Sequence, residues 1–173
     1  DSNPIAHYLQ VLADKTGSLI AAAARAGVIF SGAPDEYEEA VREFGERVGI
    51  AFQLIDDVID LSPNPKVTGK VPGTDLRAGV LTLPLLKLRE RAASNPADAE
   101  LVQRIEDELV GVDDPAKGVE LVAALRAHEV TAETLEEAKR WARDAADALA
   151  PLPNGSVKKA LIRFTETVVE RSS

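Results

Sequence analysis

Across residues 4–171 the apolar side chains return every three to four positions, and no stretch alternates apolar with polar residues as a half-buried strand would. That periodicity confines the chain to helices packed on helices. Composition narrows the packing further. Apolar residues make up 45% of the 173, enough for a substantial core, but aromatic residues make up only 4%. Ala and Leu carry the apolar faces instead, which favours helices that approach closely. The spacing predicts a first long helix that starts at Pro4, suited to position N1, and ends near Gly32. A second follows Pro34, carries Tyr37, Val41, Phe44, Val48, Phe52 and Ile55 on its packing side, and ends in a run of aspartates. Pro and Gly crowd residues 62–79, which read as a long loop, and such loops in compact domains are often functional. Later helices are expected over residues 82–93, 98–110, 115–128, 131–150 and 154–171. Asp114, Thr131 and Asn154 are the expected caps of the last three. Trp141 is expected in the core.

Several function classes are disfavoured by composition. A formal net charge of −9 with no basic stripe argues against a nucleic-acid partner. No uninterrupted apolar run reaches the roughly 18 residues of a membrane span. The opening DSNPIAHYLQ has neither the basic start nor the apolar stretch of a signal peptide. There is no Cys, and the two histidines, His7 and His128, lack ligand spacing, so a zinc site is not expected. These features together predict a cytoplasmic protein. The sequence contains no Met, which suggests a removed initiator or a piece cut from a longer chain.

The run FQLIDDVIDL holds the strongest chemical signal. At about 100° per residue, Gln53, Asp56, Asp57 and Asp60 fall on one arc of the second helix, and the rest of its circumference is apolar. With 13 Asp in the chain, chance produces a DDxxD pattern in fewer than about one such sequence in ten. The alternative is a solvated face. Against it, residues 50–61 contain no Lys or Arg, and the acids crowd a helix end where they oppose the macrodipole. Local penalties without local compensation are expected at functional sites. Carboxylate oxygens suit a hard cation, so Asp56, Asp57 and Asp60 are candidate Mg²⁺ ligands, with phosphate oxygens completing the shell. Lys15-Thr16-Gly17 lies within the first helix. It reads either as an exposed Lys beside a small packing residue or as a cation aimed at phosphate, with Gly17 permitting a kink or a close approach. Gly69-Lys70 and Gly73-Thr74-Asp75 lie in the loop after the aspartates, where a Lys can reach a bound phosphate as a point charge. Asp75 reads as a turn cap, and Asp113-Asp114, followed by Pro115, as a helix cap.

In order and spacing, KTGSLI at residues 15–20, GIAFQLIDDVIDL at 49–61 and VTGKVPGTDLRAGVLTLPLL at 67–86 resemble the trans-type polyprenyl diphosphate synthases. The resemblance is close over residues 1–90, and the remainder agrees in helical character. It implies an all-α antiparallel helix bundle of the isoprenoid (terpenoid) synthase type. It also implies Mg²⁺-dependent condensation of isopentenyl diphosphate with an allylic diphosphate. On this resemblance Asp56 and Asp60 help hold Mg²⁺ with Asp57 nearby, Lys15 and Lys70 contact diphosphate, and Thr16 and Gln53 line the site. Residues 62–79 become an active-site loop, and the intact parent is expected to be a homodimer. Two departures stand out. The family's first Asp-rich motif and its paired arginines are absent, and Val80 stands where many members carry Lys. Residues 1–173 are therefore expected to be the C-terminal part of one synthase domain, without its N-terminal helices and inactive alone. The segment that sets product length in the family is absent with them. The rivals are a non-catalytic partner subunit of a synthase and a helical interaction domain with a fortuitous acidic stripe.

Overall fold

A computed structural model describes residues 3–63 and 71–172, and every regular element among them is helical. Asn3 caps the first helix, α1 (Pro4–Leu12), by accepting from the amides of Ile5 and Ala6, with Pro4 at its N-terminus. The helix does not run uniformly to Gly32. A π-helical turn, Ala13–Gly17, intervenes before α2 (Ser18–Ser31), which closes on Gly32. The longest helix, α3 (Tyr37–Asp60), opens with Glu38 and Glu39, where negative charge suits the dipole. It buries Val41, Phe44, Val48, Leu54 and Ile55. Each such side chain removed from water stabilises by about 1.5–3 kcal/mol.

After the undescribed residues 64–70, a short helix α4 (Thr74–Arg77) lies within what the sequence presents as plain loop. Helix α5 (Leu83–Ala92) starts beyond Thr82, close to the expected boundary. Helix α6 (Pro96–Glu108) begins two residues before the expected Asp98, because Asn95 accepts from the amides of Ala97 and Asp98 and Pro96 fits the first helical position. Helix α7 is only Val119–Ala127. It does not begin at Pro115 under an Asp114 cap, for two reasons. Arg77 claims the carbonyls of Asp114 and Lys117, which a longer helix would use, and Gly118 turns left-handed at φ 65°. Asp114 instead caps a local turn through the amide of Ala116.

Helix α8 (Glu129–Ala148) starts ahead of Thr131 because His128 occupies the cap position, its Nδ1 accepting from the amide of Val130. Thr131 sits inside the helix and donates to the Leu125 carbonyl. The last helix, α9 (Ser156–Glu170), follows Gly155 with no side-chain cap, so Asn154 does not fill that role. Trp141 is half-buried rather than enclosed, on the rim of a cleft with Leu9, Ile50 and Arg47.

These helices form two compact units, Asp1–Ile55 with Glu136–Ser173, and Asp56–Leu135, with boundaries inside α3 and α8. In the first unit the π turn packs against α3 through glycines. A Cβ on Gly17 would lie 2.9 Å from the Glu46 carbonyl oxygen, and one on Gly49 would lie 2.6 Å from the Gly17 Cα. One turn away, a Cβ on Gly45 would meet the backbone of Ala21 at 2.5 Å. The second unit is filled by larger groups, among them Leu61, Leu76, Leu85, Leu88, Ile105, Leu109, Leu121 and Leu125. No described helix is long and apolar enough to cross a membrane.

Candidate active site

Two groups of sequence-predicted residues are assembled, one in each unit. In the first, Lys15 and Thr16 sit in the π turn, a device common at functional sites because the inserted residue re-aims neighbouring side chains. The Thr16 hydroxyl donates to Gln53 Oε1 at 3.2 Å across 37 residues of sequence. The close approach of Gly17 to α3 makes that contact possible. Lys15 is exposed.

The second group is the acidic run at the end of α3. Asp57 and Asp60 are buried at 8% exposure each, and Asp56 is half-buried. Asp57 Oδ2 accepts from the buried amide of Leu83 at 2.8 Å. The Asp60 carboxylate accepts from the amide of Asp75 at 3.2 and 3.3 Å, and its carbonyl accepts from Gly73 at 2.7 Å. Asp75 is thus reached through its backbone at the start of α4. Neither α4 nor α5 has a side-chain cap of its own, and both draw one from α3. The macrodipole penalty read from the sequence is real for α3 taken alone. It is offset because the acids meet the N-termini of other helices, where an N–H is waiting and, for α5, the dipole favours negative charge. Leaving the buried Leu83 amide unpaired would cost about 1–3 kcal/mol.

Among the described residues, no three acidic or imidazole side chains converge in the manner of a complete metal cage. The donor set still fits Mg²⁺, which takes one or two carboxylates and fills its shell with water and phosphate oxygens. Asp56 and Asp60, one turn apart on one helix face, supply that number of carboxylates in all-oxygen chemistry. Lys70 lies outside the described residues. Val80, which replaces the Lys implied by the family resemblance, is exposed at 48%.

Sequence reasoning missed a polar cluster around the buried Asp98 in the second unit. Asp98 pairs with His128 Nε2 at 3.0 Å and with Arg91 Nε at 3.3 Å, and Arg91 also meets Glu129 and Glu133. Because His128 Nδ1 accepts from the Val130 amide, its proton resides on Nε2 and points to Asp98. The partners are 30 residues apart, so no local pattern signals them.

The described fold is all-helical, and sequence comparison shows the family to which it belongs. Residues 1–121 match the Polyprenyl synthetase family. The chain is 42% identical over 168 residues to the nonaprenyl diphosphate synthase of Mycobacterium tuberculosis, covering 96% of this chain and 48% of that protein. It superimposes on a geranylgeranyl pyrophosphate synthase from Corynebacterium glutamicum, complexed with calcium and isoprenyl diphosphate, with a TM-score of 0.84. That match has 34% identity and covers 99% of this chain and 52% of the other. For the heptaprenyl diphosphate synthase from Staphylococcus aureus the TM-score is 0.82 at 28% identity, over 98% and 51% of the two chains. The chain belongs to the polyprenyl synthetase family, with the terpenoid-synthase helical fold. It spans about half the length of the curated relatives it matches.

Proposed function

We propose that this chain is the portion of a trans-polyprenyl diphosphate synthase that carries the second Asp-rich motif. In this reading the whole enzyme condenses isopentenyl diphosphate with an allylic diphosphate, and the chain alone is inactive because the first motif lies elsewhere. The observation that carries the reading is the pairing of Thr16 with Gln53, which unites two motifs in family order on the helix that ends in Asp56, Asp57 and Asp60. Lys15 and Lys70 contact diphosphate, and Thr16 and Gln53 line the site. Asp56 and Asp60 hold Mg²⁺, with Asp57 as the third carboxylate of the motif. The bound ion supplies positive charge to a leaving group that becomes more negative as its carbon–oxygen bond breaks. In this reading the protein is cytoplasmic and the intact parent is a homodimer. Exposed Leu19, Ile29 and Phe30 on α2 support association through an apolar face.

Calorimetric titration of inorganic diphosphate, with and without Mg²⁺, tests the reading. Binding should require Mg²⁺ and weaken at least about tenfold in Asp56→Ala. Metal-independent binding, or no binding by the folded chain, would remove it.

A further inference from the structure

We propose that Asp57, although it belongs to the acidic motif, is a positioning residue that acts through the amide of Leu83 and thereby orients Asp56 and Asp60. The inference rests on the reading of Asp56 and Asp60 as the metal-holding pair.

Several observations converge on it. Helix α5 begins at Leu83, which is wholly buried, so water cannot serve its amide. Pro84, next in line, has no amide hydrogen to offer. Thr82 has the extended backbone of an N-cap residue, yet its hydroxyl makes no capping bond. The Asp57 carboxylate supplies the missing acceptor at 2.8 Å, from a helix 26 residues away. A carboxylate in that place does for α5 what a local Ser or Asp does for most helices.

The same bond constrains α3. Asp57 projects about 100° around the helix from Asp56, whereas Asp56 and Asp60 differ by only about 40°. Asp57 therefore lies at the edge of the acidic arc, turned to the protein, while its two neighbours share one line along the helix. Anchoring Asp57 to a rigid helix end fixes the rotation of the last turn of α3. The Asp60 bond to the Asp75 amide fixes it a second time. Asp56, half-buried between these anchors, is presented at a set angle. Metal sites depend on such supporting contacts nearly as much as on their ligands.

The geometry separates two properties of Asp57 that its place in the motif conflates, its hydrogen-bond acceptor and its negative charge. Asn keeps the acceptor and discards the charge. The test compares Asp57→Asn, Asp57→Ala and Asp56→Asn in the 173-residue chain, with Mg²⁺ and inorganic diphosphate as the probe. Asp57→Asn should retain Mg²⁺–diphosphate affinity to within about threefold, whereas Asp57→Ala and Asp56→Asn should each lose about 10–100-fold. Hydrogen exchange supplies the second readout. The Leu83 amide should be protected in the parent chain, in Asp57→Asn and in Asp56→Asn, and should exchange faster in Asp57→Ala. A loss of affinity in Asp57→Asn as large as in Asp56→Asn would overturn the inference, and so would equal Leu83 exchange in all variants. If Asp57→Ala does not fold, the comparison of the two Asn variants decides alone. If the parent chain binds no diphosphate, the proposed function fails, and Leu83 exchange still decides whether Asp57 holds α5.

Discussion

The two units of this molecule pack by opposite means. In the first, contact depends on absent side chains, since Gly17, Gly45 and Gly49 bring backbones within reach of one another. In the second, contact depends on bulk, with a leucine core beside which two buried carboxylates, Asp57 and Asp60, close helix ends. Each arrangement serves its group of candidate site residues. Close approach brings the π turn near enough for Thr16 to bond Gln53. A bulky core leaves buried helix ends, and the acidic motif supplies their acceptors. Acids that look purely chemical in one unit are therefore also structural, and glycines that look like filler in the other bring candidate site residues together.

The contrast makes opposite substitutions harmful in the two units. The largest effect is expected from Leu125→Ala, fully buried in the leucine core, at about 3–4 kcal/mol of lost stability in urea unfolding. An effect below 1 kcal/mol would mean that the second unit does not depend on bulk. Enlarging the other unit should cost nearly as much. Gly49→Ala places a methyl group against the Gly17 backbone, which cannot turn aside, and should destabilise by about 2–3 kcal/mol. Next comes the cluster around Asp98. Asp98→Ala strands the His128 Nε2 proton and should cost about 2 kcal/mol, with Asp98→Asn recovering part of it. Gly27→Ala sharpens the claim about glycine from the other side. Nothing lies within 4 Å of that position in α2, so it should stabilise by about 0.5–1 kcal/mol in the same unit where Gly49→Ala destabilises.

The smallest effect concerns pH. Hydrogen bonds from Arg42, Arg104 and Lys139 hold the Glu39, Glu108 and Glu136 carboxyls below their ordinary range. A carboxyl lowered in the folded state contributes above its unfolded value, about 4.3, and the contribution fades as pH falls through the folded value. All three are exposed, so added salt should flatten this acid-side slope. A slope unchanged by salt would point to buried acids instead.

Helix content and the order of the motifs were legible because both are local. Periodicity exposes amphipathic helices, and Pro4 marks a start that the fold keeps, whereas the start expected at Asp98 falls at Pro96 under the Asn95 cap. Boundaries set from elsewhere were not legible. Arg77 shortens α7 from 37 residues away, and the His128 cap displaces Thr131. For the candidate site, the sequence showed which residues carry charge at helical spacing. It also showed that Gly17 permits a kink or a close approach, and the close approach occurs. It could not show where the charges are satisfied. The aspartates seemed uncompensated because their partners, the amides of Leu83 and Asp75, are distant in sequence and backbone in nature.

Residue order alone was therefore sufficient for the all-helical class, the family and the acidic helix face, since each follows from side-chain type and spacing along a single helix. The folded chain was needed to assign Asp57 and Asp60 their partners, to insert the π turn at Lys15 and Thr16, and to bury Asp98 against His128. The carboxylate contacts join groups far apart in sequence, and a hydrogen bond 2.8 Å long exists only once packing has brought its two ends together.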